Sequence, residues 1–159
     1  MSTPFDTEAV GLILDWPATI NRSIGGGVRN AMNQNKSKQT YKEAAFYAAR
    51  AQVGAERWNA IFPILGPVMC FITLLPPDKR ARDIDNGLKW ILDAIQYAGM
   101  ISDDQQIQYL SADRLDPIAP GYVMVQCGPL NRDLKEQWSA RAEVIEAHIK
   151  LVMEKTRNG

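Results

Sequence analysis

Acidic side chains flank one predicted helix in the middle of the chain, and a lysine lies within that helix. Asp83 and Asp85 are separated by one residue just where the helix begins, and Asp103 and Asp104 follow it. Residues i and i+2 of an extended or turning backbone point the same way, so the first two carboxylates are expected to converge. The positive end of the helix dipole favours their ionised form. Lys89 comes one helical turn after Asp85 and is expected on the same face.

These residue types suit the chemistry of phosphate esters. Carboxylate oxygens are ligands that Mg²⁺ and Mn²⁺ prefer, and such ions usually keep some water and also bind substrate phosphate. If the strand after Asp104 pairs with the strand before Asp83, its start is expected to return to the start of the helix. Three carboxylates would then surround one point. The chain has one histidine, His148, which excludes a site built from several imidazoles.

Basic residues immediately before the acidic pair indicate a contact with phosphate. Lys79, Arg80 and Arg82 directly precede Asp83. The whole chain has 18 basic and 18 acidic residues, so attraction to DNA would come from this local cluster and not from net charge. Each acidic residue also has a structural interpretation: Asp83 as a turn residue, Asp85 as a helix N-cap, and the later Asp-Asp pair as part of a loop. The combination favours phosphate chemistry.

The elements that would position these residues are about four strands and three helices. Residues 67–75 form an almost continuous apolar run, typical of a strand buried on both faces and central in its sheet. The helix between the acidic pairs is expected to end at Gly99, and its apolar residues recur at helical spacing: Leu88, Ile91, Leu92 and Ile95. The other predicted elements are strands at 10–16, 105–112 and 121–127, and helices at 41–57 and 132–155.

A long connection is predicted over residues 18–39, which are rich in Asn, Ser, Gly and Lys around Gly25-Gly26-Gly27. Loops of this length are usually functional or disordered, and both interpretations stay open. The chain length of 159 residues is typical of one domain. We therefore predict a single α+β domain over 1–159, in which a small mixed sheet packs with the helices.

Several classes of protein are excluded or disfavoured by composition. No stretch approaches the roughly 18–20 apolar residues of a membrane span, and the first residues lack the pattern of a signal peptide. Cys70 and Cys127 both lie in apolar segments, so we expect buried free thiols in a reducing cytoplasm and no disulfide framework.

One motif spans the helix and both acidic pairs: Arg82-Asp83-Ile84-Asp85-Asn86, Leu88-Lys89, Asp93-Ala94-Ile95, Gly99 and Asp103-Asp104-Gln105-Gln106-Ile107. This motif and its spacing resemble the RusA family of Holliday junction resolvases. Residues 16–22, Trp-Pro-Ala-Thr-Ile-Asn-Arg, are similar to the N-terminal signature of that family, with Ala18 in place of its second proline. The resemblance covers about residues 9–127, and the helix predicted at 132–155 extends beyond it, with a role in packing or dimerisation.

The resemblance implies a homodimeric crossover junction endodeoxyribonuclease that depends on Mg²⁺ or Mn²⁺. Such enzymes resolve Holliday junctions by paired, symmetric cleavage in DNA recombination and repair. Many members are encoded by phages or prophages, which implies the cytoplasm of a bacterial or phage-infected cell. Carried over position by position, Asp83, Asp85 and Asp104 match the metal-binding catalytic carboxylates of the family, and Lys89 matches its essential lysine. Asp93 also fits the family pattern, but it has an equally simple interpretation as a surface charge.

The DNA contacts that we expect come from two segments. Lys79, Arg80 and Arg82 would bind neighbouring phosphates and position the strand without reading its sequence. Asn21 and Arg22, in the N-terminal signature, would also bind DNA, and the glycine-rich connection with Arg22 and Arg29 would close over the branch point.

Other functions use the same residues differently. The first is a nuclease for flaps or other branched DNA, which only a panel of substrates would separate from junction resolution. The second is a non-catalytic junction-binding protein, and the third is a protein-interaction module. Intact Asp83, Asp85, Lys89 and Asp104 favour catalysis, since a protein that only binds DNA gains nothing from acids near phosphate.

Overall fold

The computed structural model describes residues 10–17, 28–130, 150 and 153–154 of the chain. A short 3₁₀ helix, Asp104–Gln106, precedes the third strand. The other elements are, in chain order, β1 (Val10–Asp15), α1 (Val28–Val53), α2 (Ala55–Ile61), β2 (Val68–Leu75), α3 (Ile84–Ala98), β3 (Ile107–Arg114) and β4 (Tyr122–Pro129). The strands form one mixed sheet, which confirms the predicted α+β class. Of the helices in this part of the chain, none is both long and apolar enough to cross a bilayer.

The strand order is β1-β4-β2-β3, so β2 lies inside the sheet as its apolar run predicts. It pairs with β4 in antiparallel and with β3 in parallel orientation, and β4 pairs with β1 in antiparallel orientation. Strands β1, β2 and β3 therefore run in the same direction. We call the edge of the sheet at which these three strands end the carboxyl edge, and the opposite edge the amino edge.

Helix α3 connects β2 to its parallel neighbour β3, as a crossover between parallel strands requires. It begins after the end of β2, at the carboxyl edge, and ends before the start of β3, at the amino edge. Gly99 ends the helix as predicted, and its φ of 87° lies in the left-handed region. The residues directly before α3 are therefore about one helix length away from the residues directly after it.

The main core lies between one face of the sheet and helices α1 and α3. Tyr41 of α1 donates a 3.0 Å hydrogen bond to the backbone carbonyl of Asp15, which holds α1 against the end of β1. Burial of this phenol raises the pKa of Tyr41. Leu75 and Met124 form a second, smaller hydrophobic cluster on the other face of the sheet, and Met153 packs against it. Most of the helix predicted at 132–155 falls outside the described residues.

The two thiols are buried and free, as predicted, and they also lie next to each other. Cys70 of β2 and Cys127 of β4 are direct partners in the antiparallel register, and their sulfur atoms lie 3.0 Å apart. The hydrogen bond from Cys127 to Cys70, together with burial, raises the pKa of the Cys127 thiol well above its usual range.

The predicted connection over 18–39 is wrong for residues 28–39, which form the first part of α1. Asn, Ser and Thr cost only a fraction of 1 kcal/mol each in a helix, and neither Gly nor Pro occurs between Val28 and Val53. The break comes at Gly54, whose φ of 87° separates α1 from α2.

Candidate active site and nucleic-acid interface

The segment between β2 and α3 places the first acidic pair at the carboxyl edge. Asp83 occupies the N-cap position of α3, but its side chain makes no capping hydrogen bond. Asp85 lies in the first turn, so its interpretation as the N-cap is wrong. Both side chains are exposed to solvent. Their oxygens are therefore available to a ligand and are not used to satisfy the helix end.

Lys89 lies in α3 one turn beyond Asp85, and its side chain is also exposed. Since both residues are inside the same regular helix, the predicted i, i+4 spacing is confirmed. The carboxylate and the ammonium group project from one side of α3 near its start. Asp93, further along the same helix, forms an ion pair with Lys38 of α1. That contact gives Asp93 a structural partner.

The second acidic pair lies at the amino edge, and its two members differ. Asp103 caps the 3₁₀ helix: its side chain accepts a 2.8 Å hydrogen bond from the Gln105 amide, while its own amide donates to the Gln106 side chain at 3.1 Å. Asp104 is exposed, and its carboxylate makes no hydrogen bond or ion pair with any residue that the structure describes. Asp104 is therefore the member of the pair whose oxygens are available.

One protomer does not bring Asp104 to the first acidic pair. Asp83 and Asp104 are separated by the 15 residues of α3, which correspond to about 22 Å of helical rise. Across residues 10–17, 28–130, 150 and 153–154, no three His, Cys, Asp or Glu side chains are grouped so that they could hold a metal ion. The strand after Asp104 does pair with β2 as expected. Because the pairing is parallel, however, its start lies beside the start of β2, and three carboxylates of one chain do not surround one point.

The basic cluster before Asp83 is built around a buried arginine. The side chain of Arg82 is 4% exposed and pairs with Asp78, with 2.7 Å between Nη2 and Oδ1. It also donates to the backbone carbonyls of Asp78 and Arg80, and its guanidinium lies 5.8 Å from the centre of the Trp16 ring. Arg82 therefore stabilises the turn through buried contacts, whereas the side chains of Lys79 and Arg80 are exposed to solvent.

Asp78 is the acceptor that organises this turn. Its carboxylate accepts a 2.9 Å hydrogen bond from the backbone amide of Arg80 and pairs with the side chains of Arg80 and Arg82. The backbone hydrogen bond is the largest reason why the pKa of Asp78 is lowered, and the interactions with Arg82 and Arg80 lower it further. The basic cluster therefore contains its own counter-ion.

Gly121 allows the start of β4 to approach the same turn closely. Its φ is 94°, and a Cβ atom at this position would lie 2.8 Å from Cδ of Pro77 and 2.9 Å from Cβ of Trp16. Only glycine fits both the conformation and the space. Trp16, the first residue of the N-terminal signature, thus lies against the turn at the carboxyl edge. The predicted DNA contacts Asn21 and Arg22 lie outside the described residues.

A cavity of about 710 Å³ opens beside this turn. Two of its basic residues could not be predicted from the sequence, Arg114 at the end of β3 and Lys150, because only the folded chain brings them to the turn. Arg114 Nη1 donates a 3.0 Å hydrogen bond to the backbone carbonyl of Arg82. The charged residues that line the cavity are Lys79, Arg80, Arg82, Arg114 and Lys150, with Asp78 and Asp116.

Comparison of the sequence with protein-family models gives a match. A model of the family described as Endodeoxyribonuclease RusA matches residues 18–125, which is more than half of the chain. A search of curated proteins found no match. The matched segment contains both acidic pairs, Lys89 and the basic turn.

Proposed function

The chain belongs to the RusA endodeoxyribonuclease family, and from this we propose that it resolves four-way DNA junctions by paired, symmetric, Mg²⁺-dependent cleavage. Membership makes the protein a crossover junction endodeoxyribonuclease, a hydrolase of phosphodiester bonds that binds branched DNA. The observation that carries the finer proposal is the start of α3, where Asp83, Asp85 and Lys89 are exposed beside a basic turn.

Asp83, Asp85 and Asp104 would hold the divalent cation. All three side chains are exposed, and none forms a hydrogen bond or an ion pair with another described residue. Oxygen donors of this kind suit Mg²⁺ and Mn²⁺. A divalent cation bound there would polarise the scissile phosphate and activate water for attack.

Lys89 would stabilise negative charge that develops on the phosphate during cleavage. Its ammonium group lies one helical turn from Asp85, on the side of α3 where the carboxylates project. A fixed positive charge aimed at developing negative charge lowers the barrier to reaction without needing to rearrange. Lys79 and Arg80 would hold neighbouring phosphates, and Arg82 would keep the turn that carries them in shape.

A site with all three carboxylates requires a second copy of the chain, because Asp104 lies about 22 Å of helical rise away from Asp83 in one protomer. In a two-fold dimer that joins the carboxyl edge of one protomer to the amino edge of its partner, two equivalent sites form at once. A four-way junction presents two equivalent strands to cut. The separation of the acids therefore supports the proposed homodimer.

The test is cleavage of a labelled four-way junction by purified protein, with and without Mg²⁺. We expect cleavage only with a divalent cation, and a loss of about 10²-fold or more in Asp83→Asn, Asp85→Asn and Asp104→Asn, because each variant loses one ligand charge. Lys89→Ala should cleave poorly although it keeps the carboxylates. Glu56→Gln, which removes one exposed charge from α2, serves as the matched control and should cleave normally.

Two results would contradict this proposal. Wild-type protein that binds the junction but cleaves it with neither Mg²⁺ nor Mn²⁺ would be a junction-binding protein only. Wild-type protein that cuts flaps faster than four-way junctions would be a nuclease for other branched DNA. The same substrate panel distinguishes all of these functions.

A further inference from the structure

The cavity at the carboxyl edge is lined by more basic residues than those that form ion pairs within the adjacent turn. Among the residues that the structure describes, five basic and two acidic ones line it. The interactions of Asp78 are with Arg80 and Arg82, so its charge is used within the turn. Lys79, Arg114 and Lys150 are exposed lining residues, and no ion pair within the described part of the chain involves them. The cavity therefore has a local excess of positive charge in a protein of zero formal net charge.

Arg114 has the geometry of an anion ligand. One of its N–H groups donates to the backbone carbonyl of Arg82, which fixes the position of the guanidinium. A guanidinium has five N–H donors in a planar fork, so donors remain for a second acceptor. Two adjacent N–H groups of such a fork match the two oxygens of a phosphate. A guanidinium already held by a backbone contact loses less conformational entropy when it binds such a group.

The position of Arg114 also connects the cavity to the proposed catalytic residues. The carbonyl that it contacts belongs to Arg82, which directly precedes Asp83 at the N-cap of α3. An anion held by Arg114 would therefore sit beside the segment that positions Asp83 and Asp85. The volume of about 710 Å³ is large enough for a sugar-phosphate unit of a nucleic acid strand, and the cavity is open along the turn.

We propose that this cavity binds a backbone phosphate of the DNA next to the one that is cut, through Arg114 together with Lys79 and Arg80. Arg82 and Asp78 are positioning residues that hold the turn and do not contact the phosphate themselves. The proposal rests on the proposed function, since it assigns a subsite to the same DNA. It adds a DNA contact from Arg114 in β3, which belongs neither to the acidic motif nor to the basic residues that precede it.

The test measures equilibrium binding of a fluorescein-labelled four-way junction in EDTA at several salt concentrations. Arg114→Ala should weaken binding about tenfold, because it removes a charge-assisted hydrogen bond. The salt dependence should become shallower by about 0.9 for each phosphate that is no longer neutralised. Lys79→Ala/Arg80→Ala should act in the same direction. Arg57→Ala removes an exposed arginine from α2 with the same change in net charge, and should leave affinity and salt slope near those of the wild type.

Cleavage kinetics provide a readout that a merely structural role would not give. A contact made equally in the bound and the reacting complex raises KM and leaves kcat almost unchanged when it is removed. Arg114→Lys keeps the charge but not the fork, and should restore the salt slope with only part of the affinity. A variant that lowers kcat and the melting temperature, with an unchanged salt slope, would show that Arg114 only supports the turn and would overturn the proposal.

Two further outcomes are decisive. Equal losses in Arg57→Ala and Arg114→Ala would mean that net charge alone accounts for binding, and would also overturn the cavity as a site. If the wild type binds in EDTA but never cleaves, the proposed function fails while the effect of Arg114→Ala on binding still decides this inference.

Discussion

Asp83 and Asp104 lie at opposite ends of α3, with Asp83 at the N-cap of that helix and Asp104 in the 3₁₀ helix that follows its C-terminus. A crossover helix between parallel strands has this consequence in any fold, because the helix returns the chain to the edge from which the first strand started. Asp83 and Asp104, which belong to one proposed site, are therefore about one helix length apart in a single chain. The proposed shared site can be tested by mixing two inactive variants. A subunit with a defect at one end of α3 should complement a subunit with a defect at the other end.

We predict that mixed dimers of Asp83→Asn and Asp104→Asn regain activity. In a mixed dimer, one of the two sites combines both defects and the other contains only wild-type carboxylates. Each variant alone should be inactive. After unfolding and refolding together, about half of the dimers should be mixed if pairing is random. The measurement is cleavage of a labelled junction, and the expected product is a junction cut in one strand.

The control for this experiment is a mixture of Asp83→Asn and Asp85→Asn. Both residues lie at the carboxyl edge, so every site in every dimer carries a defect and no activity should return. If the Asp83→Asn and Asp104→Asn mixture also stays inactive, while an affinity tag carried by one variant co-purifies the other and so shows that mixed dimers have formed, the shared site is wrong.

A second prediction separates catalytic from structural acids. Removal of an N-cap usually lowers the free energy of unfolding by about 0.5–2 kcal/mol, and Asp83→Ala should cost less than this, since Asp83 makes no capping bond. Asp103→Ala should lose stability in that range, since its side chain closes a capping box. Cleavage should show the reverse pattern: Asp83→Ala is inactive, whereas Asp103→Ala cleaves normally per folded molecule. Urea unfolding and junction cleavage of the same two proteins provide the comparison.

The sequence predicted β2, α3 and the Gly99 cap because each has a strong local signal: an apolar run, apolar residues at helical spacing, and a glycine at the helix end. It also placed Asp83 at the start of α3, and Asp85 and Lys89 one turn apart on one side of that helix. The first part of α1 was missed because its polar residues resemble a loop locally, while a contact such as the ion pair of Lys38 with Asp93 is distant in sequence.

The position of Asp104 was predicted incorrectly for a different reason. A helix between two neighbouring strands already requires parallel pairing, so its placement at the opposite edge could have been inferred. Arg114 offered no such signal. Its role depends on the parallel register of β3 and on a backbone carbonyl 32 positions away, and neither is visible in a local pattern.

A third prediction concerns the close approach of Gly121 to Pro77 and Trp16. Gly121→Ala should destabilise the fold by about 1–3 kcal/mol, because the new methyl group overlaps its neighbours. Its positive φ adds about 1–2 kcal/mol. Gly66→Ala is the matched control, since Gly66 also has a positive φ, of 79°, but open space around its Cα atom. Urea unfolding should rank Gly121→Ala as clearly less stable than Gly66→Ala. Equal losses would show that conformation alone matters.

The last prediction is the pH dependence of the basic turn. The Arg80 amide and the Arg82 guanidinium favour the ionised form of Asp78, so its pKa is lowered in the folded protein. The sign follows from linkage: the stabilisation of the turn is fully present above the ordinary pKa of an aspartate and is lost as the pH falls through the lowered value. The measurement is an NMR titration of the Arg80 amide, whose signal should move with a midpoint below the ordinary pKa of an aspartate.

Asp78→Asn removes the titrating group and should abolish this transition. It should also weaken binding of a junction in EDTA, although it makes the turn more positive, because Arg82 then loses the carboxylate that holds it in place. Simple charge counting gives the opposite result, since removal of an acid beside phosphate ought to tighten binding. Tighter binding by Asp78→Asn would therefore show that the order of the turn contributes less to DNA binding than its net charge.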